Sequence, residues 1–325
     1  MSKVAVLGSG SFGCVLANLI QNNGHEVTIW AFDPVERDII NNEHRCKYIE
    51  NGYINKDILA TSDVGFAIYE ADFIIMVTPS FAIRTTCEQI KGSNVYNPKQ
   101  SIVIASKGME YNEETKEIKT LSEVAKEVLN TEIGVISGPS HAEQIYRGVK
   151  TGVALYEPKN PEGFKELFKG SNLELEDCKD PYGMQICAAL KNIVAIAVGK
   201  EDPDGYSSNA GSTAFQRGLY DMLLVSNALN VDTGTVLGPA GVGDLYTTCS
   251  SLDSRNKRCG ILLGQGKSFD EIKKEVGMTI EGLNALEAAH AIIEQHGLKT
   301  KMMKNLYQEV IEKEKTEGKS LNIKF

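Results

Sequence analysis

The sequence predicts an α/β protein with two domains: an N-terminal doubly wound parallel sheet and a C-terminal all-helical domain. The first 180 residues alternate short apolar strands with helical stretches, which is typical of parallel strands covered by helices on both faces. From residue 181 onward the strand patterns stop and long helical stretches dominate. Because 325 residues exceed what one core ordinarily fills, we expect domains at 1–180 and 181–325.

The predicted elements follow from hydrophobic periodicity and from glycine and proline breaks. In the first domain the pattern predicts helices at 11–23 and 113–129 and strands near 3–8, 26–30, 71–79, 100–108, 133–139 and 152–156. In the second domain it predicts helices at 181–199, 212–229, 255–264, 269–275, 281–296 and 301–313.

Composition and charge exclude several classes of function. The net charge of −9 argues against a nucleic-acid partner, which needs a basic surface. No run of 18 apolar residues occurs, so we expect no membrane span. The N-terminus reads directly as a strand rather than a secretory leader, and the seven cysteines show no CxxC spacing, which favours a reducing cytoplasm. The five histidines form no HxxxH pair, so we expect no metal site.

A glycine-rich turn joins the first strand to the first helix in the sequence KVAVLGSGSFGCVLANLI, residues 3–20. In such a turn Gly8 permits the sharp reversal, Gly10 lets backbone approach a pyrophosphate, and Gly13 lets the helix pack closely on the sheet. The amides of Ser11 and Phe12 lie at the positive end of the predicted helix, which suits phosphate. A purely structural turn is the alternative, but the position favours a Rossmann-like dinucleotide-binding domain.

The end of the second predicted strand bears on the ribose of such a dinucleotide. An acidic residue there favours NAD, and an arginine favours NADP. The sequence reads Trp30-Ala31-Phe32-Asp33, in which Asp33 is a few residues late and no arginine precedes it. Asp33 before Pro34 fits a helix cap equally well, so the choice between NAD and NADP stays open at this point.

Two lysines are candidates for chemistry. Lys107 directly follows the strand SIVIAS, and ligands of open parallel sheets bind beyond the carboxyl ends of strands. Lys191 lies in MQICAALKNIVAIAVG, a helix that is apolar on nearly every face and therefore buried. A buried lysine either extends its ammonium to the surface or becomes an acid/base with a lowered pKa.

An anion site is predicted at Ser254-Arg255-Asn256, just before a helical stretch. Ser254 fits an N-cap, Arg255 offers a planar fork matched to phosphate, and Asn256 adds a neutral donor. A plain surface arginine on a capped helix is the alternative. Asp244, in a glycine-rich turn, fits either a catalytic carboxylate or an ordinary turn residue.

Eight short motifs carry a resemblance to a known family, in family order from end to end of the chain. The chain resembles the bacterial-type NAD(P)-dependent glycerol-3-phosphate dehydrogenases, whose C-terminal domain is 6-phosphogluconate dehydrogenase-like. The matching motifs are VAVLGSGSFG, GHEVTIW, ASKG, ISGPSHA, ALKN, GVGDL, SRN and IEG. Together they are specific, although none is so alone.

The resemblance implies NAD(P)H-dependent reduction of dihydroxyacetone phosphate to sn-glycerol 3-phosphate, for phospholipid synthesis, by a cytoplasmic homodimer. It implies Lys191 as the catalytic acid/base, with Lys107 and Asp244 as the other catalytic residues. The implied substrate-binding residues are Lys107, Gly138, Ser140, Ser254, Arg255 and Asn256. The implied cofactor-binding residues are Gly8, Gly10, Ser11, Phe12, Gly13, Phe32, Lys107, Ala142, Arg255 and Glu281.

The chain departs from the family at three places. Phe32 stands where the family usually has arginine or histidine, which leaves an NADP preference in doubt, and His141 replaces a usual phenylalanine. Residues 212–216 differ from the family pattern near the substrate pocket. Two other functions remain: a related dehydrogenase for another small acid, of the ketopantoate or sugar-acid type, and a non-catalytic NAD(P)-binding protein.

Overall fold

The structure is a computed structural model that describes residues 1–204, 208–277 and 279–312, and the side chains of all of these except Ser208. Residue 313, at the end of the last predicted helix, lies outside them. The chain forms two compact units. The sheet unit comprises Met1–Ser106 and Leu121–Pro181, and the helical unit comprises Lys107–Thr120 and the described residues from Tyr182 onward. Residues 107–120 thus belong to the helical unit, and the predicted domains 1–180 and 181–325 stay a prediction.

Ten strands are present among the described residues. They are β1 Lys3–Leu7, β2 Glu26–Trp30, β3 Leu59–Thr61, β4 Phe73–Met76, β5 Ser101–Ile104, β6 Met109–Tyr111, β7 Ile118–Thr120, β8 Gly134–Ser137, β9 Thr151–Tyr156 and β10 Leu173–Asp177.

The α-helices of the sheet unit are mostly short, and those of the helical unit include two of 21 residues. They are α1 Ser11–Asn22, α2 Pro34–Asp38, α3 Val64–Ile68, α4 Ile83–Gly92, α5 Leu121–Leu129, α6 Ala142–Tyr146, α7 Pro161–Glu166, α8 Pro181–Glu201, α9 Ser208–Ala228, α10 Thr233–Leu237, α11 Asp244–Ser250, α12 Arg255–Gly264, α13 Phe269–Val276, α14 Glu281–Gln295 and α15 Met302–Tyr307.

The sheet unit is built on eight strands in the order β10-β9-β8-β5-β4-β1-β2-β3. All neighbours are parallel except β8 and β9, which pair antiparallel, so the expectation of a wholly parallel sheet is wrong at this one pair. The order in which strands are added to the sheet reverses at β1: β2 and β3 lie on one side of it, and β4 and β5 on the other. Such a switch point is where open α/β sheets bind ligands, and the glycine-rich turn follows β1 directly.

Helices cover both faces of this sheet, as the apolar strands require. In β1, Val4 and Val6 pack into one buried apolar cluster, while Ala5 and Leu7 pack into another. Successive side chains of a strand point to opposite faces, so the two clusters lie on the two sides of the sheet. The predicted fold class, a doubly wound Rossmann-like domain followed by a helical domain, is confirmed.

The predicted helix at 113–129 is wrong in its first half. Strands β6 and β7 form an antiparallel hairpin that pairs Met109 with Thr120, and α5 begins only at Leu121. Met109 is buried in the core of the helical unit, with Tyr111 and Ile118 packed against it. Burial of these side chains therefore outweighs the helix propensity of the charged residues between them. The prediction also missed β3, β10 and the helical turns between 233 and 250.

The helical unit packs around α8, which is buried on nearly all sides. Among the described residues α8 is the one helix long and apolar enough to cross a membrane, but 94% of its apolar window is buried inside the protein, the pattern of a core helix. Helix α12 approaches α8 at backbone distance. A Cβ on Gly260 would lie 2.0 Å from the carbonyl oxygen of Ile196, so only glycine permits this packing.

Candidate active site

Three charged side chains of the helical unit meet at one point. The Lys191 Nζ lies 2.8 Å from one carboxylate oxygen of Asp244, and the Lys107 Nζ lies 2.7 Å from the other. Lys191 is 5% exposed and Asp244 is 2% exposed, so this cluster is shielded from bulk solvent. The structure thus brings together the three residues that the resemblance named as catalytic, which lie far apart in the sequence.

Local structure fixes each member of this cluster. Lys191 is at the middle of α8, and Asp244 is the first residue of α11, directly after the π-helical turn Pro239–Gly243. One turn along α11, Thr248 accepts a hydrogen bond from the Lys191 ammonium at 2.6 Å and donates its own hydroxyl to the Asp244 carbonyl at 2.7 Å. Asp244 and Thr248 therefore hold the ammonium from the same helix face.

Burial and charge tune the two partners in the same direction. Burial, together with the positive charge of Lys107, lowers the pKa of Lys191 from 10.5 to about 8, against the opposing effect of Asp244. Burial alone would raise the pKa of Asp244, but the charges of Lys107 and Lys191 outweigh it and hold that pKa below its ordinary value. At neutral pH the cluster therefore carries two cations and one anion.

This arrangement can act as an acid. An ammonium has three N–H donors, and Asp244 and Thr248 accept two from Lys191. The remaining donor can reach an oxygen that develops negative charge, and a pKa near 8 suits proton transfer in either direction at physiological pH. The excess positive charge further favours such an oxygen.

The predicted anion site lies at the start of α12. Ser254 is the N-cap of α12, as predicted, and its side chain accepts a hydrogen bond from the Lys257 amide at 3.2 Å. Arg255, the first helical residue, is exposed, so its guanidinium is accessible to a ligand. These residues and the first-turn amides of a ten-residue helix make an anion site chemically plausible.

Asn256 has a second task that the sequence did not reveal. Its side-chain amide donates to the Asn192 side-chain oxygen at 2.9 Å, and its oxygen accepts from the Gly282 amide at 2.9 Å. Asn192 directly follows Lys191 in α8, so this bond ties the start of α12 to the helix that carries the buried lysine. The start of α14, where Glu281 lies, is attached to the same point. A phosphate contact by Asn256 stays a prediction.

In the sheet unit the glycine-rich turn has the geometry that a dinucleotide needs. Gly8 has φ +131°, and a Cβ on Gly13 would lie 2.1 Å from the Gly8 carbonyl oxygen, so both glycines are required by the fold itself. Gly10 differs, because a Cβ there would meet no protein atom within 4 Å. Its φ of −67° suits any residue. The protein does not explain a glycine at this place, whereas close approach of a pyrophosphate to the backbone of Gly10, Ser11 and Phe12 does.

Asp33, just after β2, has the capping role that the sequence analysis offered as one of two alternatives. The Asp33 side chain accepts a hydrogen bond from the Val35 amide at 2.9 Å, so Asp33 caps α2. Phe32 is 78% exposed, and its ring meets the Trp30 ring edge-on. An exposed ring at this position is accessible to an adenine face.

The other predicted ligand residues follow β8 in the sheet unit. Gly138 has φ +157°, and the Ser140 hydroxyl donates to the Gly138 carbonyl at 3.0 Å. Ala142 is the first residue of α6, which His141 precedes. Substrate or cofactor contacts by Gly138, Ser140 and Ala142 stay predictions, as do those of Glu281 and Phe32.

Sequence reasoning missed four residues at these sites: Thr248, Asn192, Glu36 and Tyr48. Thr248 lies four residues after Asp244, and Asn192 adjoins Lys191, so helical spacing and adjacency could have indicated both. Glu36 lies on α2, and its carboxylate accepts a hydrogen bond from the hydroxyl of Tyr48, in the segment before β3. No comparable sequence signal marks this pair, because the contact depends on the path of the chain between α2 and β3.

Comparison with known proteins covers nearly the whole chain. The protein-family model described as NAD-dependent glycerol-3-phosphate dehydrogenase N-terminus matches residues 3–161, and the corresponding C-terminus family model matches residues 180–320. Glycerol-3-phosphate dehydrogenase [NAD(P)+] of Thermoanaerobacter sp. (strain X514) is 36% identical over 313 residues, which are 95% of this chain and 93% of the relative. The enzyme of the same name from Clostridium perfringens (strain SM101 / Type A) is 35% identical over 98% of this chain and 96% of its own.

Solved structures agree. A crystal structure of glycerol-3-phosphate dehydrogenase from Coxiella burnetii superposes with a TM-score of 0.89 at 28% identity, covering 96% of this chain and 95% of that one. A ketopantoate reductase from Ralstonia eutropha JMP134 superposes with a TM-score of 0.66 at 13% identity over 97% and 99% of the two chains, which is a likeness of fold alone. The chain belongs to the NAD-dependent glycerol-3-phosphate dehydrogenase family.

Proposed function

We propose that this protein catalyses the reversible reduction of dihydroxyacetone phosphate to sn-glycerol 3-phosphate with NADH or NADPH. The observation that carries the proposal is the buried Lys191 beside Asp244 and Lys107. Family membership supports the substrate, because the relatives with 35–36% identity bear the name of this activity. A supply of glycerol 3-phosphate for phospholipid synthesis in the cytoplasm is consistent with that activity.

A dinucleotide held at the backbone of Gly10, Ser11 and Phe12 would supply a hydride to the ketone carbon. As the new C–H bond forms, the π electrons of the carbonyl move to the ketone oxygen, and Lys191 transfers a proton to that oxygen and becomes a neutral amine. Lys107 adds positive potential at the same oxygen. Asp244 and Thr248 keep the donor nitrogen in place. In the reverse reaction neutral Lys191 removes the proton from the alcohol.

The phosphate of the substrate binds at the start of α12 in this proposal. The α12 amides and the accessible guanidinium of Arg255 supply charge-assisted donors for it. Holding the phosphate fixes the distance between the ketone and Lys191, which converts binding energy into orientation. Gly138, Ser140 and Lys107 are the further substrate contacts that we propose, and Ala142 and Glu281 are further cofactor contacts.

We propose a homodimer as the assembly. The resemblance suggests it, and the helical unit exposes large apolar side chains that an interface could cover, among them Leu237 and Tyr246. The molar mass in solution, measured by light scattering, tests this: a value near 71 kDa, twice the 35.5 kDa of one chain, supports the dimer, and 35.5 kDa contradicts it.

The decisive assay measures oxidation of NADH and of NADPH, side by side, with dihydroxyacetone phosphate as acceptor. Turnover with either cofactor supports the proposed reaction. Unphosphorylated dihydroxyacetone and ketopantoate serve as matched acceptors: efficient turnover of ketopantoate would favour the related small-acid dehydrogenases. Binding of a dinucleotide with no turnover of any acceptor would favour a non-catalytic protein.

A further inference from the structure

The glycine-rich turn contacts a carboxylate that no part of the mechanism above uses. Ser9, the residue between Gly8 and Gly10, is 8% exposed, and its hydroxyl donates to one carboxylate oxygen of Glu36 at 2.5 Å. The Tyr48 hydroxyl donates to the other carboxylate oxygen. The Glu36 side chain is only 12% exposed, so a partly buried acid bridges the turn and the segment at Tyr48.

The position of this carboxylate matches the ribose end of a bound dinucleotide. In dinucleotide-binding folds an acidic residue about 20 residues beyond the glycine-rich turn accepts a hydrogen bond from the ribose 2′-hydroxyl. Glu36 lies 23 residues after Gly13 and contacts the turn directly. Asp33, the first acid after the end of β2, is engaged as the cap of α2.

The bonds that Glu36 already makes hold it as an acceptor. A carboxylate has about four acceptor positions, so bonds from Ser9 and Tyr48 leave capacity for a ribose hydroxyl. Burial and the Glu36 carboxylate raise the pKa of Tyr48, which keeps its phenol protonated and donating.

The charged side chains of residues 33–48 place one cation beside the Glu36 carboxylate. Residues 33–48 contain four carboxylates and three cations. Arg37 pairs with Asp38 at 2.7 Å, and Arg45 pairs with Glu43 at 2.8 Å. The third cation, Lys47, lies 3.8 Å from the Glu36 carboxylate itself. A 2′-phosphate, which brings about two further negative charges, would therefore meet the Glu36 carboxylate with one adjacent cation from residues 33–48.

We propose that Glu36 makes this enzyme select NADH over NADPH, by accepting the ribose 2′-hydroxyl and repelling the 2′-phosphate. The proposal rests on the proposed function, because it assumes that the glycine-rich turn binds the reducing dinucleotide. In this proposal a residue of α2 determines the cofactor preference, whereas the sequence analysis considered Phe32 and Asp33 for that role.

The test compares kcat/KM for NADH and NADPH, with saturating dihydroxyacetone phosphate, in the wild-type enzyme, Glu36→Gln and Glu132→Gln. Glu132 is an exposed carboxylate of the sheet unit paired with Lys126, so its variant controls for the loss of one negative charge. We expect the wild-type enzyme to favour NADH by about tenfold or more, which corresponds to about 1.4 kcal/mol. Glu36→Gln should reduce that ratio at least about fivefold, chiefly through a lower KM for NADPH, and Glu132→Gln should leave it unchanged.

Calorimetric binding of NAD+ and NADP+ separates this proposal from the proposed function. One outcome is that the protein turns over no substrate but binds NAD+ more tightly than NADP+. In that case the proposed activity is wrong, and the selection by Glu36 stands if Glu36→Gln reduces the ratio of the two dissociation constants. Equal or stronger use of NADPH by the wild-type enzyme overturns the proposal and points to Lys47 as a phosphate ligand. An equal decrease of kcat/KM for NADH and NADPH in Glu36→Gln also overturns the proposal, because a merely structural role of Glu36 predicts that outcome. A wild-type preference for NADPH overturns the proposal even if Glu36→Gln fails to fold, and binding of neither dinucleotide contradicts both proposals.

Discussion

The two units handle charge in opposite ways. In the helical unit, Lys191 and Asp244 are almost fully buried, and each satisfies the other at hydrogen-bond distance. In the sheet unit, the proposed pyrophosphate contacts are backbone amides, and a Cβ added at Gly10 would meet no protein atom within 4 Å apart from its chain neighbours. The site in the helical unit thus contains a buried lysine with a lowered pKa, whereas the turn in the sheet unit offers backbone amides. The contrast indicates that variants of the helical unit should change the chemical step, and variants of the turn should change dinucleotide affinity.

The largest effect is expected for Lys191→Met, which keeps the length and apolar stem of the side chain but removes the acid. Because general acid catalysis contributes about 10²–10⁴-fold, kcat should fall by roughly that factor. The dissociation constant for the dinucleotide should stay within about twofold, since its turn lies in the sheet unit. Steady-state kinetics and calorimetry measure the two quantities, and Lys304→Met, at an exposed lysine of α15, is the control. Near-normal turnover in Lys191→Met would exclude Lys191 as the acid.

The next effect is on stability, in Asp244→Asn. Removal of this carboxylate leaves two ammonium groups beside a neutral amide, and breaking a buried ion pair typically costs about 3–5 kcal/mol. The pKa of Lys191 should also fall below 8, because the opposing charge of Asp244 is lost. Denaturant unfolding gives the free energy.

The control for this variant is Glu294→Gln, which breaks the exposed pair with Lys304 in the same unit. It should change the free energy of unfolding by no more than about 1 kcal/mol. Similar decreases in the free energy of unfolding for Asp244→Asn and Glu294→Gln would mean that burial does not strengthen the Asp244 contacts.

The smallest expected effect is in the sheet unit, where Gly10→Ala adds one methyl group. A Cβ fits there without a protein contact, so the unfolding free energy should be unchanged, while dinucleotide affinity should fall about tenfold, or about 1.4 kcal/mol. Gly92→Ala is a matched control, because its Cβ also meets no atom within 4 Å, and it should leave affinity intact. Unchanged affinity in Gly10→Ala would place the pyrophosphate elsewhere.

The sequence predicted the fold class of the molecule well, because the strand and helix periodicities of the apolar residues are both strong. Alternation in β1 sends Val4 and Leu7 to opposite faces, and the all-round apolar pattern of α8 marks a core helix. The hairpin at 109–120 escaped prediction because burial of Met109 against a distant core decides its structure. Long-range contacts of this kind leave no local signal.

The site was predictable where a residue is anomalous in its own element. Lys191 is such a residue, since a lysine in the middle of an apolar helix needs a partner. Its partner Asp244 lies 53 residues away and was suggested only by the family resemblance. Glu36 was missed because an exposed carboxylate and a partly buried one look alike in a sequence. Its hydrogen bonds from Ser9 and Tyr48 form only when the chain folds.

The central claim is that buried Lys191, with its lowered pKa, gives and takes the proton. The most direct test measures kcat/KM from pH 7 to 10 for reduction of dihydroxyacetone phosphate and for oxidation of glycerol 3-phosphate. Because reduction needs the ammonium and oxidation needs the neutral amine, reduction should fall above pH about 8, and oxidation should rise through the same value. Two opposite limbs with one shared pKa near 8 are the predicted result. Profiles in which both directions rise together, or in which neither changes before pH 10, would contradict the account.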